Sequence, residues 1–186
     1  GTLFYYQSNY FEAIKYYKQS YLLFVKLRDV KSQASRLSNI GSAYKGLGSL
    51  DSAIFYFNKV YQFSTESEYT SLQSVSLSNI AIIEAESGNL NSAIDKQEQS
   101  IEIDIENNDL EGVAIGYINL GDFYTESKKK AIAIRSYKSS LELGVKINRV
   151  NIIKENYLRL SEVYSGSRDD LSLLIFKKYS SIEDSI

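Results

Sequence analysis

Asparagine stands at positions 39, 79 and 119 of the 186-residue chain, forty residues apart each time, and Arg159 takes the next place in the row. A carboxamide both donates and accepts, so a row of three can pair with a peptide backbone in two directions, whatever the side chains of that peptide. Covalent and acid–base chemistry find little to work with. The chain has no His and no Cys, which removes the commonest general base, the thiol nucleophile and the thiolate metal site. Asp and Glu are plentiful, but surface helices ordinarily carry them, and no phosphate-binding glycine loop or nucleophile motif is present. Asp104 and Glu111 come nearest to a calcium pair, yet no loop has the ligand spacing of a calcium site. The chain therefore reads as a non-enzyme with no catalytic residue, no metal ligand and no cofactor.

The same forty-residue step organises everything else. Asn39-Ile40-Gly41 returns as Asn79-Ile80-Ala81, Asn119-Leu120-Gly121 and Arg159-Leu160-Ser161. A second column keeps the step with Ala13-Ile14, Ala53-Ile54, Ala93-Ile94 and Ala133-Ile134. A fixed period of this size marks stacked copies of one supersecondary unit. Apolar residues at steps of three and four (Ala34, Leu37, Ile40, Ala43, Tyr44, Leu47) make the first column helical. Gly46, Gly48 and Ser49 break that helix, and Asp51 or Ser52 is placed to cap the next, which carries Ala53, Ile54, Phe57, Val60 and Tyr61. Asn107-Asn108-Asp109 and Asn148 serve as further turns. The units run over about 31–70, 71–110, 111–150 and 151–186, after a partial unit at 1–30, in one domain. In the last unit Leu173 and Leu174 replace the Ala-Ile pair, and 180–186 is short and polar. Gly1 falls in the Gly41 column, so the sequence reads as part of a longer protein.

Small residues (Gly41, Ala81, Gly121, Ser161 and the Ala53, Ala93, Ala133 column) admit close helix approach, while Tyr44, Phe57, Tyr124 and Tyr137 fill the space between units. This small-against-large pattern resembles the tetratricopeptide repeat in a forty-residue version, as found in repeat regions of bacterial signalling and regulatory proteins. The chain lacks the consensus Trp and the closing Pro, with Leu37, Leu77, Tyr117 and Tyr157 at the Trp positions. The resemblance implies an all-α fold, a right-handed α-α superhelix of stacked antiparallel helix pairs with about four and a half units. Gln97 is the local exception, a polar amide in the column of Tyr17, Phe57 and Tyr137, and it predicts a looser unit or a half-exposed position.

In such arrays the first helix of each unit lines a concave groove that binds protein or peptide segments. Carried over, the groove positions here include Asn39, Ser42 and Lys45, then Asn79, Ile82 and Glu86, then Asn119, Asp122 and Glu126, then Glu155, Arg159 and Glu162. The resemblance equally allows each Asn to bond to its own neighbouring helix. Ser38, Ser78 and Ile118 stand where chaperone-binding relatives carry their carboxylate-gripping residues, which argues against a co-chaperone role. Asp122, Glu126, Glu155 and Glu162 against Arg159 make the later half of the groove acidic and suited to a basic or amphipathic partner.

A net charge of −2 exerts no general pull on nucleic acid or anionic lipid, and no run is long enough for membrane insertion. Charge is segregated along the chain: Glu84 to Glu111 holds nine acids against Lys96, and Lys128 to Arg159 holds nine bases against Glu142 and Glu155. Mutual screening between stacked units accounts for that better than a nucleic-acid patch of Lys128, Lys130, Lys138 and Lys146, and Lys128-Lys129-Lys130 reads as a solvated turn. The function expected is a peptide-binding module, the sensory or regulatory part of a bacterial sensor kinase or transcriptional regulator. The alternatives are a free-standing adaptor and a homo-oligomer built through an exposed Tyr5, Tyr6 and Tyr10 edge. The compartment, cytoplasmic or periplasmic, is not written in the residues.

Overall fold

The computed structural model describes residues 1–66, 69–165, 174, 175 and 177. The chain contacts divide into two compact units, Gly1–Ile103 and Asp104–Ile186. Among the described residues all regular structure is helical: α1 Thr2–Tyr6, α2 Tyr10–Lys26, α3 Val30–Gly46, α4 Leu50–Glu66, α5 Thr70–Glu86, α6 Leu90–Glu106, α7 Leu110–Glu126, α8 Lys130–Lys146 and α9 Val150–Tyr164. Leu173 and the 180–186 end lie outside the described residues.

From α2 to α8 every helix is 17 residues long. Each described turn reverses the chain through one residue of positive φ: Ser8, Arg28, Gly48, Gly88, Asn108, Lys128 and Asn148. The forty-residue period is thus two twenty-residue halves, each a helix plus a three-residue turn. Gly48 and Gly88 adopt this conformation freely, whereas a side chain meets its own carbonyl there. Lys128 is exposed at φ 60° in such a turn. Lys128→Gly is expected to raise stability by about 0.5–1 kcal/mol, the relief of left-handed strain less the added freedom of the unfolded chain. A urea titration checks the sign.

Side chains at the turn ends close the helices. Asn9, Asp29 and Asp109 accept from the backbone N–H of Glu12, Ser32 and Gly112 at 3.4, 3.0 and 2.9 Å. The expected cap at Asp51 or Ser52 is corrected: α4 starts at Leu50, so both lie inside its first turn, where the Asp51 carboxylate complements the helix dipole.

In the first unit, Ala13, Ile14 and Tyr17 of α2 pack on Ile40 and Ala43 of α3, and Ala53 and Phe57 of α4 pack on Ile80 and Ile83 of α5. A Cβ built on Gly41 would stand 3.0 Å from the Phe57 ring, which shows why the small column is small. Gln97 is 1% exposed, so its expected half exposure is overturned. Its Oε1 accepts from Ser78 Oγ at 3.1 Å, and a polar side chain so partnered can be buried without loss. Tyr5 and Tyr10 are half-buried against the Ala13 cluster, and of the expected tyrosine edge Tyr6 alone is exposed. Apolar walls favour their rings over solvent.

In the second unit, Ala133 and Tyr137 of α8 pack on Leu160 of α9, with Tyr124 and Val163 at the margin. Asn156 of α9 is fully buried and donates Nδ2 to Ser140 Oγ and to the Ile152 carbonyl, both at 2.8 Å. Its Oδ1 has no partner among the described residues.

Candidate functional site

The helical period places the predicted residues on first-helix faces: α3 and α5 in the first unit, α7 and α9 in the second. On α3, Asn39 and Ser42 line a pocket of about 180 Å³ with Thr2, Tyr5, Tyr6 and Tyr17. Lys45 Nζ on α3 lies 2.9 Å from Glu86 Oε1 on α5 and ties those two faces together. Asn79 turns the other way and donates Nδ2 to the Val75 carbonyl of its own helix at 2.8 Å. One of its two N–H donors is thereby used within its own helix. Asn119 lies half-buried on α7. Neither Asn79 nor Asn119 lines the pockets described here.

In the second unit Asp122, Glu126, Arg159 and Glu162 come together around one pocket of about 430 Å³, with Thr125, Tyr137 and Val163 completing its wall. Arg159 is the hub. Its Nε sits 3.0 Å from Asp122 Oδ1, and its terminal nitrogens reach Glu155 at 2.9 Å and Glu162 at 3.7 Å. The Nε contact is an ion pair without hydrogen-bond alignment, since that buried nitrogen has no hydrogen-bond partner. Burial opposes the Arg159 charge, but the Asp122, Glu155 and Glu162 carboxylates together raise its pKa.

Sequence reasoning read Tyr137 as a packing residue and passed over Thr125. The Tyr137 ring does fill the core at 1% exposure, yet its hydroxyl donates to Asp122 Oδ1 at 2.7 Å and lies 3.2 Å from Thr125 Oγ1. A tyrosine where the neighbouring unit has Phe57 was the available signal, because a buried phenol needs a partner. Burial, then the nearby Asp122 carboxylate, pushes the Tyr137 hydroxyl well above the ordinary tyrosine value, although the Thr125 bond lowers it. A raised folded-state pKa means that this stability is fully present below about pH 10 and is lost as pH rises toward the folded value. Tyr137→Phe removes both the Asp122 bond and the titration. The variant should melt below the parent at pH 7, and the gap should narrow between pH 9 and 11. A constant gap in parallel thermal melts would remove the linkage.

Lys128 and Lys130 line an adjoining pocket of about 360 Å³ with Thr125, Glu162 and Val163. A larger concavity of about 500 Å³, walled by Ile105, Leu110, Val113, Tyr117 and Leu143, holds none of the predicted groove residues. Glu111 is paired with Arg149, Nη2 to Oε2 at 2.7 Å, and Asp104 is buried. No group of three metal-binding side chains occurs among the described residues. No described helix is long and apolar enough to cross a membrane.

Residues 1–66, which span α1 to α4, match the family described as tetratricopeptide repeat. No curated protein sequence matches the chain. Among solved structures, BtubC (BKLC) from P. vanneervenii aligns at TM-score 0.84 and 17% identity, over 95% of this chain and 74% of that one. The apo form of RapI aligns at 0.83 and 19%, over 99% and 52%. Aspartyl phosphate phosphatase F from Bacillus subtilis aligns at 0.83 and 18%, over 96% and 47%. The chain therefore spans about half the length of the last two. At these identities the likeness is one of fold, an all-α helical repeat. The family match thus covers α1 to α4, and the forty-residue period and the all-helical fold continue beyond it.

Proposed function

We propose that the array grips a basic protein or peptide segment on its first-helix faces, as the sensory or regulatory part of a larger bacterial signalling protein. The observation that carries the reading is the second-unit pocket, where Asp122, Glu126 and Glu162 outnumber Arg159. Such an imbalance draws in a cationic segment and rejects an anionic one. The signalling role rests on fold likeness to RapI and to an aspartyl phosphate phosphatase, which is support by analogy.

The test is a fluorescence-anisotropy titration with an arginine-rich peptide and a glutamate-rich peptide of equal length. Asp122→Asn with Glu162→Gln should weaken the basic peptide about tenfold, or roughly 1.4 kcal/mol, and steepen no salt dependence. Equal affinity for the two peptides would discard the acidic-pocket reading. The signalling role is tested separately, by asking whether a sensor kinase or DNA-binding domain shares the polypeptide.

A further inference from the structure

Two pockets of the second unit meet at the C-terminal end of α7, because Thr125, Glu162 and Val163 line both. Their charges differ in sign. The larger holds Asp122, Glu126 and Glu162 against Arg159, and the smaller holds Lys128 and Lys130 against Glu162. Asp122 and Glu162 are drawn to Arg159, and Lys130 interacts within the chain. Glu126, the last residue of α7, and Lys128, in the turn after it, are different. Both are exposed, and neither forms an ion pair or a side-chain hydrogen bond among the described residues. The fold therefore leaves one carboxylate and one ammonium uncommitted, two residues apart, at the junction of an acidic and a basic pocket.

The backbone at Lys128 points the same way. Gly48 and Gly88 fill the equivalent turn of the two preceding repeats at φ 73° and 83°, whereas Lys128 holds φ 60° with a side chain that disfavours it. Strain kept where the repeat elsewhere has glycine marks a side chain with a task outside the turn. Charge sign then narrows the occupant. A uniformly basic segment brings like charge to Lys128, and a uniformly acidic one brings it to Asp122, Glu126 and Glu162. An extended segment with opposite charges at i and i+2 avoids both, since those side chains leave the same side of the backbone about 6.6 Å apart. Selection by sign works in an open, hydrated site, where its strength is modest and salt-sensitive.

We infer that the two pockets together read a mixed-charge dyad: an extended segment whose Arg or Lys lies against Glu126 and whose Asp or Glu, two residues away, lies against Lys128. The inference rests on the peptide-binding reading above and narrows its partner from a basic segment to one that carries an acidic residue beside its cation.

The experiment compares two peptides of equal length bearing a neutral dye, one built of Arg-Ser-Glu triplets and one of Arg-Ser-Gln triplets, by fluorescence anisotropy at about 20 mM salt. The Glu peptide should bind the parent about threefold tighter, against the trend of net charge, which favours the Gln peptide. Lys128→Gly should abolish that preference and Lys128→Glu should reverse it. Because Lys128→Gly is expected to raise stability, a preference lost in that variant is not a loss of folding. A Gln peptide that binds the parent as well as the Glu peptide, or an order unchanged in Lys128→Glu, overturns the dyad. If the Gln peptide binds and no preference appears, the basic-segment reading stands and the dyad alone falls. If neither peptide binds, the peptide reading falls with it.

Discussion

Gly121→Ala should destabilise the second unit by about 1–2 kcal/mol, even though alanine is the better helix former by about 1 kcal/mol. The new Cβ would land within the van der Waals envelope of the Tyr137 ring. That ring is almost wholly buried and its hydroxyl is held by Asp122, so it has no direction in which to yield. Gly41→Ala supplies the contrast. There the nearest Phe57 atoms stand at 3.0–3.2 Å from the added carbon, and Phe57 has no polar anchor. A shift of a few tenths of an ångström relieves the contact, and the helix-propensity gain offsets most of what remains. Urea unfolding of the two variants in parallel decides the matter, and an equal effect would show that the Asp122 bond does not restrain the ring.

Asn156 is the site of the second large effect. Truncation to alanine should cost about 2 kcal/mol, from the cavity left in a fully buried position and from the Ser140 hydroxyl stranded beside it. The reverse move is more informative. Asn156 Oδ1 is buried without a partner, and such an atom carries a desolvation penalty of about 1–3 kcal/mol. Replacing the polar pair together, Asn156→Leu with Ser140→Ala, removes donor and orphaned acceptor at once. The double variant is expected to be as stable as the parent or more so, while Asn156→Ala falls well below it. A double variant no better than Asn156→Ala in thermal melts would mean that the amide is worth more than its geometry indicates.

The residues by themselves determined the helical pairs and their order. Helix period, small residues at Gly41 and Gly121, and large ones at Phe57 and Tyr137 are local or strictly periodic features, repeated so often that chance cannot mimic them. The turns at Gly48, Lys128 and Asn148 were legible, but Arg28 carries a side chain that disguises a left-handed position. Burial of Gln97 was settled only in three dimensions, because a partner on another helix, Ser78, decides whether an amide can be buried.

The site divides in the same way. The column rule brings Asp122, Glu126, Arg159 and Glu162 to one wall, since residues forty apart occupy equivalent places on successive first helices. That rule is blind to hydrogen bonds. Asn39 and Asn79 share a column, yet one opens into a pocket and the other bonds to Val75, because a side-chain amide chooses the nearest competent partner and not its repeat position. Tyr137 entered the site for a related reason. Its ring obeys the core pattern that periodicity reveals, while its hydroxyl answers to an aspartate on the facing helix, a relation between α7 and α8 that only the packed structure supplies.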